Sequence, residues 1–276
     1  MSIKYAYLGP AGTFTEAALQ KIATQSDQLI AYANVTAALD AVRNGECQKA
    51  LVPIENSVEG IVARTLDELA IGEPLVITAE TTLRVSFSLM TLSDKNPAEI
   101  KSIATHPHAE SQCRSFIAKN YPNAQVIESS STAAAAKGLS KGDYDAAIAG
   151  SNAAKNYDLK VIAENIGDNS SAITRFVLVE EPGNQPKATG KDRTSLAVFI
   201  AIDHAGALLE ILNEFAKHQV NLTFIQSRPT GSQLGHYHFI IDAEGHIEDK
   251  PISAALAGLK EICEDVRFLG SYPQAK

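Results

Sequence analysis

The sequence predicts an α/β protein in two parts, and three observations carry that reading. Short apolar runs alternate with helix-periodic segments through most of the 276 residues, the pattern of strands covered by helices. A stretch without periodicity, Glu180 to Asp192 (EEPGNQPKATGKD), contains two prolines and two glycines and reads as a linker. Beyond it the order is strand, helix, strand, strand, helix, strand, that of a ferredoxin-like sandwich.

In the first part, strands are expected at Ile3–Leu8, Leu29–Ala33, Ala50–Ile54, Leu75–Thr81, Val85–Thr91, Ser102–Thr105, Gln125–Glu128, Asp145–Ala149, Val161–Asn165 and Arg175–Val179. Helical periodicity takes over near Thr13, Val35, Ser57, His108, Thr132 and Asn152. Such alternation implies parallel sheets. So many strands are better accommodated by two smaller lobes than by one wide sheet, with a ligand cleft where strand ends feed helix N-termini. In the second part, a strand over Thr194–Ile202 leads to a helix from about Ala205 to Lys217, with Leu208, Leu212, Phe215 and Ala216 on one face. A strand near Thr223–Ser227, a Gly-rich turn and an alternating strand Tyr237–Asp242 follow. The second helix carries a stripe of Ile252, Ala255, Leu256, Leu259 and Cys263, and the last strand includes Val266–Leu269. The expected divisions are a first domain 1–181 whose second lobe spans about 82–160, a linker 182–192 and a second domain 193–276.

Composition narrows the function classes. Hydrophobic residues at 45% and charged residues at 20% provide an ordinary core and exclude disorder, collagen and coiled coil. No apolar run approaches the ~18 residues of a membrane span. The start, MSIKYAYLGP, lacks a basic, then apolar, export signal, so a cytoplasmic location is expected. Three distant cysteines (Cys47, Cys113, Cys263) do not form a disulfide framework. The net charge is -8, with 16 basic and 21 acidic residues before Lys191 and 8 and 11 from it onward. That balance disfavours nucleic acid and acidic membranes. A small anion remains open, held by a few arginines and helix N-termini.

Four polar segments sit at strand-to-helix junctions. In GPAGTFTEAAL, Gly9 and Gly12 permit a tight turn, and Thr13 with Glu16 reads as a capping box or as part of an anion cradle. In VPIENSVEGIV, Glu55, Asn56 and Ser57 crowd the end of a buried strand, more polarity than a cap requires. In THPHAESQC, His106, His108 and Cys113 lack the spacing of a metal site, which leaves Thr105 and Gln112 as cap and first-turn donor. His236 and His238 share a strand face, and are expected to be exposed or to face a partner rather than to bind metal. In ITRFVLV, Thr174 and Arg175 open an otherwise apolar strand.

Together GPAGTFTEAA, VPIENSVEGIV, HPHA with Gln112-Cys113, STAAAA at Ser131 and TRF resemble the prephenate dehydratases, in that family's order over almost the whole chain. GALL at Gly206–Leu209 and NLTFIQSRP at Asn221–Pro229 resemble its regulatory ACT domain. The resemblance implies a catalytic domain similar to type II periplasmic binding proteins, joined to a βαββαβ ACT domain. It implies conversion of prephenate to phenylpyruvate, carbon dioxide and water, with no metal and no other cofactor. It implies a homodimer or homotetramer and phenylalanine as effector. By the same resemblance Thr174 donates to the leaving oxygen, Arg175 clamps a carboxylate, and Phe176 completes the catalytic TRF motif. Glu55 is open between assisting the leaving group and ordering its loop. Thr13, Asn56, Ser57, Thr105, Gln112 and Thr132 supply neutral donors to the substrate. Gly206, Ala207, Leu208, Leu209, Asn221, Leu222, Gln226 and Ser227 form the effector site.

Four positions depart from the family pattern: Ala172 stands for an Asn, His108 for a Gln, Gln226 for a Glu and Ala205 for a Pro. Asn169, Ser170 or Ser171 are the candidates to stand in at the first. Two other readings share these residues. One is a non-catalytic two-lobed ligand sensor; the other is a sister enzyme, an arogenate dehydratase or a prephenate decarboxylase.

Overall fold

A computed structural model describes residues 2–183, 185–200, 204–230 and 237–275. Most strands begin and end within a few residues of the apolar runs in the sequence. The chain opens with β1 (Lys4–Leu8), α1 (Phe14–Leu19), β2 (Gln28–Tyr32), α2 (Val35–Arg43), β3 (Lys49–Asn56), β4 (Gly60–Ile61), α3 (Ala63–Ile71) and β5 (Val76–Arg84). It continues with β6 (Ser88–Thr91), β7 (Ser102–Thr105), α4 (Pro107–Gln112), α5 (Arg114–Asn120), β8 (Gln125–Glu128), α6 (Thr132–Leu139), β9 (Ala146–Ala149), α7 (Ser151–Asn156), β10 (Lys160–Ala163) and β11 (Ile173–Glu180). The remainder is β12 (Asp192–Phe199), α8 (Ala207–Lys217), β13 (Leu222–Pro229), β14 (Tyr237–Glu244), α9 (Lys250–Ile262) and β15 (Asp265–Pro273). None of the described helices is long and apolar enough to cross a membrane.

The chain divides into two compact units. One comprises Met1–Ala38, Leu51–Ile61 and Thr82–Phe176; the other comprises Leu39–Ala50, Val62–Thr81 and Val177–Lys276. One sheet has the order β2-β1-β3-β11-β5, with β4 paired to β3. The first unit holds a five-stranded sheet of order β10-β6-β9-β7-β8. Its three central strands, β6, β9 and β7, are buried on both faces, and alternation sorts their side chains into two clusters. Leu89, Ile103 and Ile148 pack with Val85, Phe87 and Ile117, whereas Met90, Ala104, Ala147 and Ala149 pack with Ala135, Ala136 and Leu139 of α6. The small residues of the second cluster give α6 a close seat.

The expectation of parallel sheets is corrected here. β7 runs parallel to β8 and β9, but β6 is antiparallel to both β9 and β10. β6 follows β5 after a three-residue connection with no crossover helix, so nothing constrains it to the common direction. The helix expected near Ser57 is also absent. Residues 57–59 form a turn, Gly60 adopts φ +84°, and β4 pairs back on Glu55 and Asn56. The helix itself starts at Ala63.

In the second unit, β13-β14-β12-β15 form an antiparallel sheet whose connections are βαββαβ, as the sequence predicts. Leu196, Val198, Phe239 and Ile241 face α8 and α9 in one core. The buried stripe of α9 includes Ile252, Ala255, Leu256 and Leu259 as expected. That of α8 is rotated: Ala207, Ile211 and Phe215 are buried, at four-residue spacing, while Leu208 and Leu209 are exposed. With apolar residues on more than one face of α8, periodicity alone does not choose between them.

The opposite sheet face is polar and internally paired. Ser195 Oγ donates to Asp242 Oδ1 at 2.6 Å, and Arg193 bridges Asp242 and Glu80 at 3.3 Å each. Arg228 makes a bidentate pair with Asp67 of α3 at 2.8 and 2.7 Å. His238, expected to be exposed or partner-facing, is 0% exposed and stacks on Phe199 with ring centroids 5.0 Å apart. His236 lies outside the described residues.

Burial pushes the His238 imidazole below its ordinary value; nearby Asp67 opposes the shift and Arg228 reinforces it. Above an unfolded-state value of about 6.5 the ring is neutral in both states and costs nothing. Below it the unfolded chain takes up a proton that the native state refuses, so stability falls as pH drops toward the lowered folded value. Denaturant midpoints at pH 7.5 and 5.5 should therefore differ less in His238→Leu than in wild type. Identical pH slopes in the two proteins contradict this.

Candidate active site

Of the polar junctions that the sequence singles out, the first unit joins the end of β3 to the start of β11 and to α4, with Asn56 at the centre. Asn56 ends β3, and its Oδ1 accepts from the amides of Val58 and Glu59 at 2.8 and 2.9 Å. This is an Asx turn, built from the same side-chain chemistry as a helix cap. With both acceptor positions of Oδ1 used, Nδ2 points to Thr174 and donates to its Oγ1 at 2.8 Å. A hydroxyl that accepts this bond keeps its own hydrogen for another acceptor. The orientation of Asn56 thus makes Thr174, which is 8% exposed, a donor.

Ser57 secures the same junction through two bonds to the start of β11: its amide donates to Ile173 O at 2.9 Å and its Oγ accepts from Ile173 N at 3.0 Å. Adjacent strand residues face opposite sides, and the contacts follow that rule. Asn56 meets Thr174, while Glu55 Oε2 lies 3.3 Å from Arg175 Nε. Glu55 therefore holds the buried guanidinium, and Phe176 packs in the interior at 1% exposure.

The β1–α1 segment forms a satisfied loop rather than an open cradle. Thr13 caps α1, accepting from Glu16 N at 3.3 Å and donating to Leu8 O at 3.0 Å. Glu16 does not return to Thr13 as a capping box would; its Oε2 accepts from Gly12 N at 2.6 Å. Gly12, at φ +89°, sits where an added Cβ would lie 3.1 Å from the Ala153 backbone, so α7 approaches closely. Three α7-side groups fasten the loop: Asn152 Nδ2 to Thr13 O, Asn156 Nδ2 to Glu16 Oε2 and Tyr157 OH to Ala11 O, at 2.9, 2.7 and 2.7 Å. Burial and the adjacent Glu16 carboxylate hold the Tyr7 phenol above its ordinary range while it donates to Glu16 Oε1 at 3.2 Å.

At α4 the cap is His106, whose Nδ1 accepts from His108 N, and not Thr105 as expected. Thr105 is committed to its sheet, donating to Ile148 O at 2.8 Å. Gln112 Nε2 donates to Glu59 Oε1 at 2.8 Å. Cys113 turns into the apolar core, where burial pushes its thiol up to about 12. Ser131 rather than Thr132 caps α6, and Thr132 is its first residue. Among the described residues no three His, Cys, Asp or Glu side chains are grouped to hold a metal ion.

The structure therefore joins Asn56 to Thr174 directly, Ser57 to the adjoining Ile173, and Glu55 to Arg175. It does not show Thr13 or Thr105 presenting a hydroxyl hydrogen to a ligand. Ala172 is buried in the apolar core, and Asn169 turns back on Ser171, so neither supplies an amide to Thr174. Asn152, Asn156 and Tyr157 escaped the sequence reading, and Glu59 reads there only as a cap partner of Asn56. Glu59 had a visible signal, a carboxylate three residues after Asn56. The α7 residues had none, since their partners are over 130 positions away.

The effector candidates belong to the second unit. Gly206 precedes α8 at φ +101°, Ala207–Leu209 form its first turn, and Leu222, Gln226 and Ser227 lie on the edge strand β13. Asn221 Nδ2 donates to Glu244 Oε2 at 3.0 Å, and Gln226 Nε2 donates to the Ser227 carbonyl at 2.9 Å. A cavity of about 360 Å³ beside α8 is lined by Ile200, His204, Ala207, Glu210, Ile262 and Cys263 among others.

Comparison with known proteins gives a consistent picture. The family profile described as prephenate dehydratase matches residues 5–184, and that of the ACT domain matches 194–261. A prephenate dehydratase of Amycolatopsis methanolica is 46% identical over 99% of this chain and 89% of its own. The crystal structure of prephenate dehydratase from Arthrobacter aurescens in complex with L-Phe is 48% identical, with a TM-score of 0.92 over 98% of this chain and 90% of that one. The enzyme of Staphylococcus aureus is 26% identical, with a TM-score of 0.82 over 98% and 100% of the two chains.

Glu16 accepts from Gly12 N, Tyr7 OH and Asn156 Nδ2, so its removal strands several buried donors at once. Each orphaned group costs about 1–3 kcal/mol, part of which water recovers. Glu16→Ala should lose about 2–4 kcal/mol in urea unfolding. A loss under about 0.5 kcal/mol, the usual scale of a surface change, contradicts that.

Proposed function

The chain belongs to the prephenate dehydratase family, and from that membership we propose that it converts prephenate to phenylpyruvate, carbon dioxide and water. The contact that carries this reading chemically is Asn56 Nδ2 to Thr174 Oγ1 at 2.8 Å. The electron pair of the ring–carboxylate bond enters the ring as carbon dioxide departs. The ring becomes aromatic as its carbon–oxygen bond breaks, and the leaving oxygen takes up a proton to depart as water. The demand on the protein is a donor fixed at that oxygen. Thr174 is such a donor, because Asn56 already occupies it as an acceptor.

Arg175 is the clamp for a substrate carboxylate. The pyruvyl carboxylate fits that role, since tight pairing to the ring carboxylate would stabilise the group that must be lost. Glu55, beside Arg175 at 3.3 Å, orders the guanidinium in this scheme, and Phe176 anchors the strand beneath it. Asn56, Ser57 and Thr132 remain the neutral groups around the dianion, with Thr13, Thr105 and Gln112, the last bonded to Glu59, shaping the segments that carry them.

We further assign residues 1–181 to catalysis, with a second lobe at about 82–160, and 193–276, beyond the 182–192 linker, to regulation by phenylalanine. The effector surface comprises Gly206–Leu209, Asn221, Leu222, Gln226 and Ser227. The exposed Leu208 and Leu209, 37% and 60% accessible, and the neighbouring cavity support an apolar ligand or a second copy there. A cytoplasmic homodimer or homotetramer completes the proposal.

The test is to incubate purified protein with prephenate and read phenylpyruvate by its absorbance in alkali, with and without phenylalanine. Formation that phenylalanine suppresses is the expected result. Formation without suppression removes the effector assignment alone. Prephenate consumed without phenylpyruvate identifies a decarboxylase, and prephenate left untouched contradicts the proposed reaction.

A further inference from the structure

Glu59 ties the turn after β3 to α4. Its Oε1 accepts from Gln112 Nε2 at 2.8 Å, and its Oε2 lies 3.5 Å from His108 Nδ1. His108 and Gln112 are four residues apart, hence on one face of α4, and the two carboxylate oxygens match them. At its other end Glu59 donates its backbone N–H to Asn56 Oδ1, and Asn56 donates to Thr174. One hydrogen-bonded series thus runs from α4 to the Thr174 hydroxyl.

We infer that Glu59 is a positioning residue: its side chain anchors the exposed 57–59 turn on α4 and so keeps the Asn56 amide aimed at Thr174. Ser57 fastens the near end of the turn to Ile173, but Val58 and Glu59 beyond it are exposed, and there the Glu59 side chain supplies the anchor. The two halves of the anchor differ in weight. The Gln112 side is buried, whereas the His108 ring is 64% exposed, so solvent screens that contact and the Gln112 bond dominates. Gln112 then serves the site through Glu59 rather than by touching substrate. This inference rests on the proposed reaction at Thr174.

The test combines kinetics on prephenate with hydrogen exchange at the Val58 and Glu59 amides, using the full chain. Misplacing a group by about 1 Å costs up to about 100-fold, so Glu59→Ala should lower kcat about 10- to 100-fold while changing KM less than about threefold. Gln112→Ala should match it, His108→Ala should lose less, and Glu59→Ala/Gln112→Ala should be no worse than either single variant. Glu59→Gln should return to within about threefold of wild type, because its carbonyl still accepts from Gln112. Exchange at the two amides should quicken in Glu59→Ala and recover in Glu59→Gln.

A Glu59→Ala enzyme with near-wild-type kcat overturns the inference, as do additive losses in the double variant or unchanged exchange. A Gln112→Ala effect confined to KM overturns it too and returns Gln112 to the substrate. If wild type leaves prephenate untouched, the reaction itself fails and takes the kinetic claim with it. The exchange experiment still decides separately whether Glu59 anchors the turn.

Discussion

The amide of Asn56 satisfies two demands with one side chain. Its oxygen accepts the Val58 and Glu59 amides, which reverses the chain after β3, and its nitrogen donates to Thr174 on β11. Because the oxygen is committed to backbone donors, the nitrogen cannot exchange places with it without orphaning the turn. The direction of the hydrogen bond to Thr174 is therefore fixed by local backbone chemistry. Everything proposed for the hydroxyl follows from that direction.

The surrounding structure keeps this contact in place. β3 and β11 are neighbours in one sheet, and the Ser57 bonds to Ile173 hold the β3 turn at the start of β11. Elsewhere in the first unit the loops consume their own donors: Gly12 N serves Glu16, Thr13 serves Leu8, and Thr105 serves Ile148. A site built this way has few uncommitted groups, and those that remain are held by partners already satisfied. Such prior satisfaction spares the protein reorganisation when charge moves in a reaction.

Much of this was legible in the residues alone. Ser102–Thr105 and Gln125–Glu128 are strands with the boundaries their apolar runs mark, and the βαββαβ order beyond the linker is as the periodicity implies. The misread features have identifiable causes. Asn56 followed by Glu59 looks like a helix start because an Asx turn and an N-cap use the same acceptor, and only Gly60 at positive φ separates them. The direction of β6 depends on which strands it lies between, which no local pattern encodes. His238 alternates with apolar neighbours either way, and its surroundings, the Phe199 ring and the charge of Asp67, come from other parts of the chain. The partners of Thr13 and Glu16 on α7 are similarly beyond local reading, since they meet only in the folded chain.

The most direct measurement on the central claim is the turnover of prephenate by Asn56→Asp. The substitution keeps the shape and the acceptor for the Val58 and Glu59 amides but replaces the donor to Thr174 with a second acceptor. The Thr174 hydroxyl would then donate to the carboxylate rather than to the leaving oxygen. The account predicts a kcat lower by about 100- to 1,000-fold, the cost of one lost donor at a developing charge, in a protein whose unfolding midpoint is little changed. Turnover within a few fold of wild type in a folded Asn56→Asp protein would contradict it.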